Sequence, residues 1–96
     1  MTKSELIDHL AHDRDLPRRT AEEVVKVIFD SMRNTLVEGG RIEVRGFGSF
    51  KVKEYKGYVG RNPKTGQEIK VMPKRLPVFK VSKILRAEVN EGIGSN

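Results

Sequence analysis

The sequence predicts an α+β fold: two N-terminal helices, a three-stranded antiparallel sheet with a long protruding β-ribbon arm, and a short C-terminal helix, assembled as a dimer. Three observations predict it. The spacing of apolar residues changes from helical to strictly alternating at Gly39-Gly40. Residues 51–75 hold Lys51, Lys53, Lys56, Arg61, Lys64, Lys70, Lys74 and Arg75 against Glu54 and Glu68, a balance of +6 that equals the net charge of the whole 96-residue chain. With that segment set apart, roughly 70 residues remain for a core, which is marginal for one chain. The second helix, meanwhile, carries apolar residues on more than one face. A partner chain is therefore expected to cover it.

The first helix opens on Thr2-Lys3-Ser4-Glu5, a capping box in which the Thr2 hydroxyl accepts from the Glu5 N–H and the Glu5 carboxylate reaches back. Leu6, Ile7, Leu10 and Ala11 follow at helical spacing. Leu16-Pro17 interrupts, and a second helix runs to about Glu38. Its start fits two patterns: a capping box at Thr20-Ala21-Glu22-Glu23, or Pro17 in the first turn. Ala21, Val24, Val25, Ile28, Met32 and Leu36 make its stripe, Val27, Phe29 and Val37 widen it, and Gly39-Gly40 ends it.

Arg41-Ile42-Glu43-Val44-Arg45 then alternates as a strand, with Ile42 and Val44 inward and three charges outward. Gly46-Phe47-Gly48 turns the chain, and Phe50 and Val52 resume the alternation in a strand with no stop before Tyr58. Arg61-Asn62-Pro63-Lys64-Thr65-Gly66 is rich in turn formers, and Gln67 to Met72 reads as strand again. The arm is thus expected at about 53–75, with its tip near Asn62-Pro63. Leu76 to Val81 returns as a strand with Phe79 and Val81 inward. Ser82 caps a last helix with Ile84, Leu85 and Val89 on its apolar side. One domain is expected over 1–90, and a flexible tail over 91–96.

Composition removes several function classes. The absence of cysteine excludes disulfides, thiolate nucleophiles and Cys-ligated zinc. No apolar run approaches the length of a membrane span, and Lys3, Glu5 and Asp8 among the first apolar residues do not make a signal peptide, so a cytoplasmic location is expected. His9 and His12 share a helical spacing that suits a metal, yet Asp8 and Asp13 flank them on a polar face, and a solvated pair is the expectation. No nucleophile–base–orienter set or carboxylate pair stands out, so neither an enzyme nor a cofactor, metal or small-molecule substrate is expected. A basic balance of 19 Lys+Arg against 13 Asp+Glu points to a polyanion.

Arg45-Gly46-Phe47-Gly48-Ser49-Phe50 matches the first four positions of the RNP1 pattern and then departs, with Ser49, Phe50 and Val52 where Phe, Val and an aromatic belong. That fold also opens on a strand, whereas this chain opens on two helices. No Gly-Lys-Ser/Thr follows, so the glycines are not a phosphate-cradling loop.

Gly46-Phe47-Gly48-Ser49-Phe50 together with Gly60-Arg61-Asn62-Pro63-Lys64-Thr65-Gly66 resembles the bacterial HU/integration host factor family of histone-like DNA-bending proteins. The likeness runs through Asn90, and Arg41-Ile42-Glu43-Val44-Arg45 is similar to the β-subunit branch of integration host factor. The resemblance implies an intertwined dimer, either of identical chains or with a related subunit, that bends double-stranded DNA in the nucleoid through its minor groove. It implies that Pro63 intercalates, with Arg61, Asn62 and Lys64 in the minor groove. A basic ribbon suits the task on physical grounds as well, since it lies in a groove and neutralises phosphates on both sides. Lys3, Lys53, Lys70, Lys74, Lys80, Lys83 and Arg86 are the remaining candidates for DNA contact, helped by the helix N-termini near Thr2 and Ser82. Arg41, Glu43 and Arg45 share a face, and a carboxylate held by two arginines suits cytosine N4, which suggests some sequence preference. The chain departs from the family at Tyr55 and Tyr58, where arginines are common.

Two other classes compete. A small RNA-binding or ribosome-associated protein would need only the basic charge. A membrane-surface or acidic-protein binder is disfavoured because the charge lies on a Gly/Pro-rich arm and no basic amphipathic helix is evident.

Overall fold

The computed structural model describes residues 1–94. In chain order it holds α1 (Lys3–Asp13), α2 (Arg18–Val37), β1 (Ile42–Val44), β2 (Gly48–Tyr55), β3 (Tyr58–Arg61), β4 (Glu68–Val71), β5 (Lys74–Val81) and α3 (Lys83–Gly94). The expected α+β order is present. No helix among the described residues is long and apolar enough to cross a membrane.

The Thr2 hydroxyl accepts from the Glu5 N–H at 3.1 Å, the first half of the capping box. α2 starts at Arg18, with Thr20 inside its first turn and Pro17 just outside it as the N-cap: the Pro17 ψ of 142° is still extended while its carbonyl accepts from the Ala21 N–H at 3.1 Å, so neither a Thr20 box nor a proline within the first turn sets the start. Both helices stop in the same way. After α2, the Gly40 N–H donates to the Thr35 carbonyl at 2.8 Å and the Gly39 N–H to Leu36 at 3.0 Å, with Gly39 at φ 83°. After α1, the Leu16 N–H donates to Ala11 at 2.9 Å and the Asp15 N–H to His12 at 3.3 Å. There the left-handed residue is Asp15, at φ 51°.

The sheet is antiparallel in the order β1-β2-β5, and β3-β4 forms a separate two-stranded ladder beyond it. Several strand limits differ from expectation, and three of them shape the arm and its base. Gly48 belongs to β2 rather than to the turn: it pairs with both Val44 and Val81, and a Cβ on it would lie 2.6 Å from the Phe79 ring. The strand expected to run unbroken to Tyr58 is interrupted at Lys56-Gly57, opposite Met72-Pro73, where proline has no N–H to give the ladder. β5 begins at Lys74, and it tolerates Pro77 because it is an edge strand.

Ser82 caps α3 as expected, its Oγ accepting from the Leu85 N–H at 3.1 Å. The same hydroxyl donates to the Gly46 carbonyl at 2.9 Å and so ties the β1–β2 turn to the helix start. α3 continues through Gly94, so residues 91–94 of the expected tail are helical, and 95–96 lie outside the described residues.

The core within one chain is small. Ile7, Ala21 and Val25 are buried where α1 crosses α2, with Leu6, Leu10 and Ala11 packed on them. Val27 and Ile28 of α2 are 64% and 52% exposed, and Phe79 on the sheet is 45% exposed although its ring lies 4.7 Å from that of Phe50. The Cα radius of gyration is 19.9 Å, against about 12.5 Å for a compact chain of this length. An arm that leaves the body, and apolar faces with no cover, account for the difference.

Candidate nucleic-acid interface

The arm is a single ribbon with one register. Tyr55 pairs with Lys74 and Tyr58 with Val71, so the interruption takes the same number of residues from each strand and the pleat keeps its phase from Gly48↔Val81 to Arg61↔Glu68. The two sides of the pleat therefore have different characters. One side carries Lys51, Lys53, Tyr55 and Arg61 on the outgoing strands and Lys70, Lys74 and Lys80 on the returning ones, with Glu68 as the acid and Val59, Leu76 and Val78 as the apolar residues among them. Glu43 pairs with Ser49 and so shares this side, with Arg41 and Arg45 two residues away in either direction. The other side carries Ile42, Val44, Phe50, Val52, Phe79 and Pro77 at the base, the charged pair Glu54 and Arg75 in the middle, and Tyr58, Ile69 and Val71 further out.

The tip is held by backbone and short side-chain bonds. The Asn62 N–H donates to the Gln67 carbonyl at 2.9 Å, the Gly66 N–H to Asn62 at 2.7 Å, and the Lys64 N–H to Asn62 Oδ1 at 2.9 Å. Gly66 takes φ 71°, and Thr65 Oγ1 accepts from the Gln67 N–H at 3.3 Å. Asn62 is half-buried and structural, while Pro63 and Lys64 are exposed at the apex. Pro63 needs no partner for an N–H it lacks, so the turn loses no hydrogen bond by presenting it.

Arg61 faces Glu68 directly across the ribbon, with a 3.8 Å ion pair. Arg75 pairs with Glu54 at 3.9 Å on the opposite side. Arg41 reaches Glu43 at 3.2 Å. All six side chains are mostly exposed, so each pair contributes under about 1 kcal/mol. Lys53 and Lys74 are held differently: their ammonium groups lie 5.3 Å and 5.7 Å from the centre of the Tyr55 ring.

At the sheet end, Arg41, Glu43, Arg45, Lys80 and Lys83 line one shallow groove beside the start of α3, with Arg86 one turn further along the helix. Lys3 stands apart from them, on α1 and close enough to Asp30 of α2 for its charge to be felt there. Lys51 shares the basic side with Lys53 and was missed by the sequence reading; counting back by two from Lys53 is the signal that finds it. Among the described residues no group of three or more His, Cys, Asp or Glu is placed to hold a metal ion.

Comparison with known proteins agrees with this geometry. Residues 1–90 match the family model described as bacterial DNA-binding protein. The chain is 48% identical over 94 residues to integration host factor subunit beta of Pseudoalteromonas atlantica, covering 97% of this chain and 98% of that relative. It is 37% identical over 93 residues to integration host factor subunit alpha of Anaeromyxobacter dehalogenans, covering 97% and 82%. Among solved structures it is similar to HU in the Anabaena HU–DNA cocrystal structure, with a TM-score of 0.77 at 31% identity, covering 93% and 97%. HU from Thermotoga maritima superposes with a TM-score of 0.64 at 25% identity, covering 93% and 98%.

Proposed function

The chain belongs to the bacterial DNA-binding protein family, and from that premise we propose that it is an architectural protein that bends duplex DNA. The carrying observation is the two-sided arm: a ribbon with basic residues on one side of its pleat, ending in an exposed Pro63. In this reading the arm lies in the minor groove, with Arg61, Asn62 and Lys64 at its floor and Lys53, Lys70 and Lys74 towards the phosphates. Pro63 enters between base pairs as a rigid wedge. Unstacking costs a few kcal/mol per step in DNA-bending proteins of this class. Wrapping the flanking DNA onto Lys3, Lys80, Lys83 and Arg86 and the helix N-termini offsets it.

A dimer follows from the same reading. The exposed faces of α2 and of the sheet at Phe79 need cover, and relatives are named as alpha and beta subunits. The second chain is either another copy or a related subunit, and two arms then embrace one duplex. Such a protein organises the nucleoid and assists recombination, replication and transcription by shaping DNA, with no chemistry and no cofactor of its own. The Arg41–Glu43–Arg45 face gives it some sequence preference.

End-to-end energy transfer on a labelled duplex of roughly 30 bp tests this, as the purified chain is titrated in. A large approach of the ends at near-stoichiometric protein, reduced in Pro63→Ala, is the expected result. A preference for single-stranded RNA over bent or nicked duplex would overturn it. Bending only when a second subunit is supplied would assign the chain to a heterodimer.

A further inference from the structure

Tyr55 stands at the root of the arm with a lysine on either side of it: Lys53 two residues earlier on β2, and Lys74 directly opposite on β5. Both ammonium groups lie within cation–π range of the one ring, at 5.3 Å and 5.7 Å. Resting on the DNA-binding reading above, we propose that Tyr55 is a positioning residue, a neutral brace that fixes Lys53 and Lys74 as a preformed pair of phosphate clamps.

The physics favours a ring over a carboxylate in this place. A free lysine loses much rotamer freedom when it is fixed on a phosphate. Holding the ammonium beforehand removes part of that loss from the binding step. The other cations held on the ribbon, Arg61 by Glu68 and Arg75 by Glu54, are held by anions. A phosphate approaching those arginines meets a like charge that must be displaced or tolerated. The Tyr55 ring orders its two lysines without cancelling either charge and without offering an anion to repel the backbone. The aromatic residue thus contributes no charge of its own and makes two neighbouring charges more effective.

The test compares Tyr55→Phe with Tyr55→Leu, which keep strand-compatible bulk while retaining or removing the π-face. Duplex affinity is measured across a salt series, and the ε-methylene proton shifts of Lys53 and Lys74 are measured in the free protein. Tyr55→Leu is expected to weaken binding by about three- to tenfold, because part of the ordering cost of two lysine side chains returns to the binding step. The slope of log affinity against log salt should not change, because no phosphate contact is lost. Tyr55→Phe should stay within about twofold of the parent. Both lysines should show ring-current shifts in the parent and in Tyr55→Phe but not in Tyr55→Leu. Equal affinity in parent and Tyr55→Leu, an equal loss in Tyr55→Phe, or a shallower salt slope in Tyr55→Leu would each overturn the brace. If the parent fails to bind duplex, the DNA-binding reading falls; the free-protein shifts still report the brace, and their absence would sink it separately.

Discussion

Gly57 and Pro73 meet across the middle of the arm so closely that a Cβ on Gly57 would lie 2.8 Å from Pro73 Cδ and 2.7 Å from the Val71 carbonyl oxygen. A methyl group there must push the two strands apart between the paired segments on either side. Gly57→Ala is therefore expected to misdirect the tip while leaving the body intact. Energy transfer on the labelled duplex should show reduced bending, and the melting midpoint should be unchanged. A variant that bends DNA as well as the parent would show that the strands separate at no functional cost.

Asp15 ends α1 in the left-handed conformation that Gly39 adopts after α2. A side chain there costs on the order of 1 kcal/mol, less for aspartate than for most residues. Part of the relief on removing it is lost to the flexibility of glycine in the unfolded chain. Asp15→Gly should stabilise the protein by about 0.5 kcal/mol, or roughly 2–4 °C in melting midpoint at fixed concentration. A lower midpoint would mean that the carboxylate itself contributes to the fold.

Ile28 is 52% exposed in the single chain, and for a lone chain a substitution there would matter little. With a second subunit on α2, Ile28→Lys instead buries an unpaired charge. The expected outcome is loss of both dimer and fold at micromolar concentration, read by sedimentation and circular dichroism together. A folded, monomeric Ile28→Lys protein would show that the chain does not need a partner on α2 to fold.

The Lys26 ammonium hydrogen-bonds the Asp30 carboxylate at 2.6 Å and holds its pKa below the ordinary 3.8; partial burial opposes this, and the charges of Lys26, Arg33 and Lys3 reinforce it. Because the folded value is the lower one, the stabilisation is full above the unfolded value and is lost as pH falls through the folded value. Asp30→Asn should therefore be less stable than the parent at neutral pH, and the gap should close in acid below the unfolded value. Parallel denaturant melts across that range check it, and a gap independent of pH would assign the effect to something other than ionisation.

Glu43, held by Arg41 at 3.2 Å, lies on the basic side of the pleat where an acid only weakens non-specific binding. Its place there makes sense if it reads a base. Glu43→Ala should raise affinity for random duplex and lower the ratio of preferred to random sites by about five- to a hundredfold. Competition binding with the two kinds of duplex measures that ratio, and an unchanged value removes Glu43 from recognition.

The order of elements, the caps at Thr2 and Ser82 and the turn at Asn62–Gly66 were legible in the sequence because each depends on residues close along the chain. Three features were not. The stop after α1 uses an aspartate where glycine is the usual signal, so only the hydrogen bonds reveal it. The break at Lys56-Gly57 depends on Pro73 across the ribbon, a partner that no reading of one strand can supply. The brace at Tyr55 was hidden for the same reason: Lys74 is remote in sequence and adjacent in space. The basic residues proposed for the DNA face stood out by charge, but their division between two sides of a pleat needed the register.

The unbroken register across the interruption limits how such an arm can change length. A strand reverses its facing at every residue, so adding one residue to each strand near Gly57 would turn everything beyond it over, presenting Tyr58 and Ile69 where Lys70 and Arg61 now stand. Adding two to each strand would restore the facing and carry Pro63 outward by about 7 Å, roughly two base-pair steps along a groove. Arm length is thereby quantised: insertions and deletions that keep the facing come in matched pairs on both strands, and in the bending proposed above each pair would move the kink to a new place on the DNA.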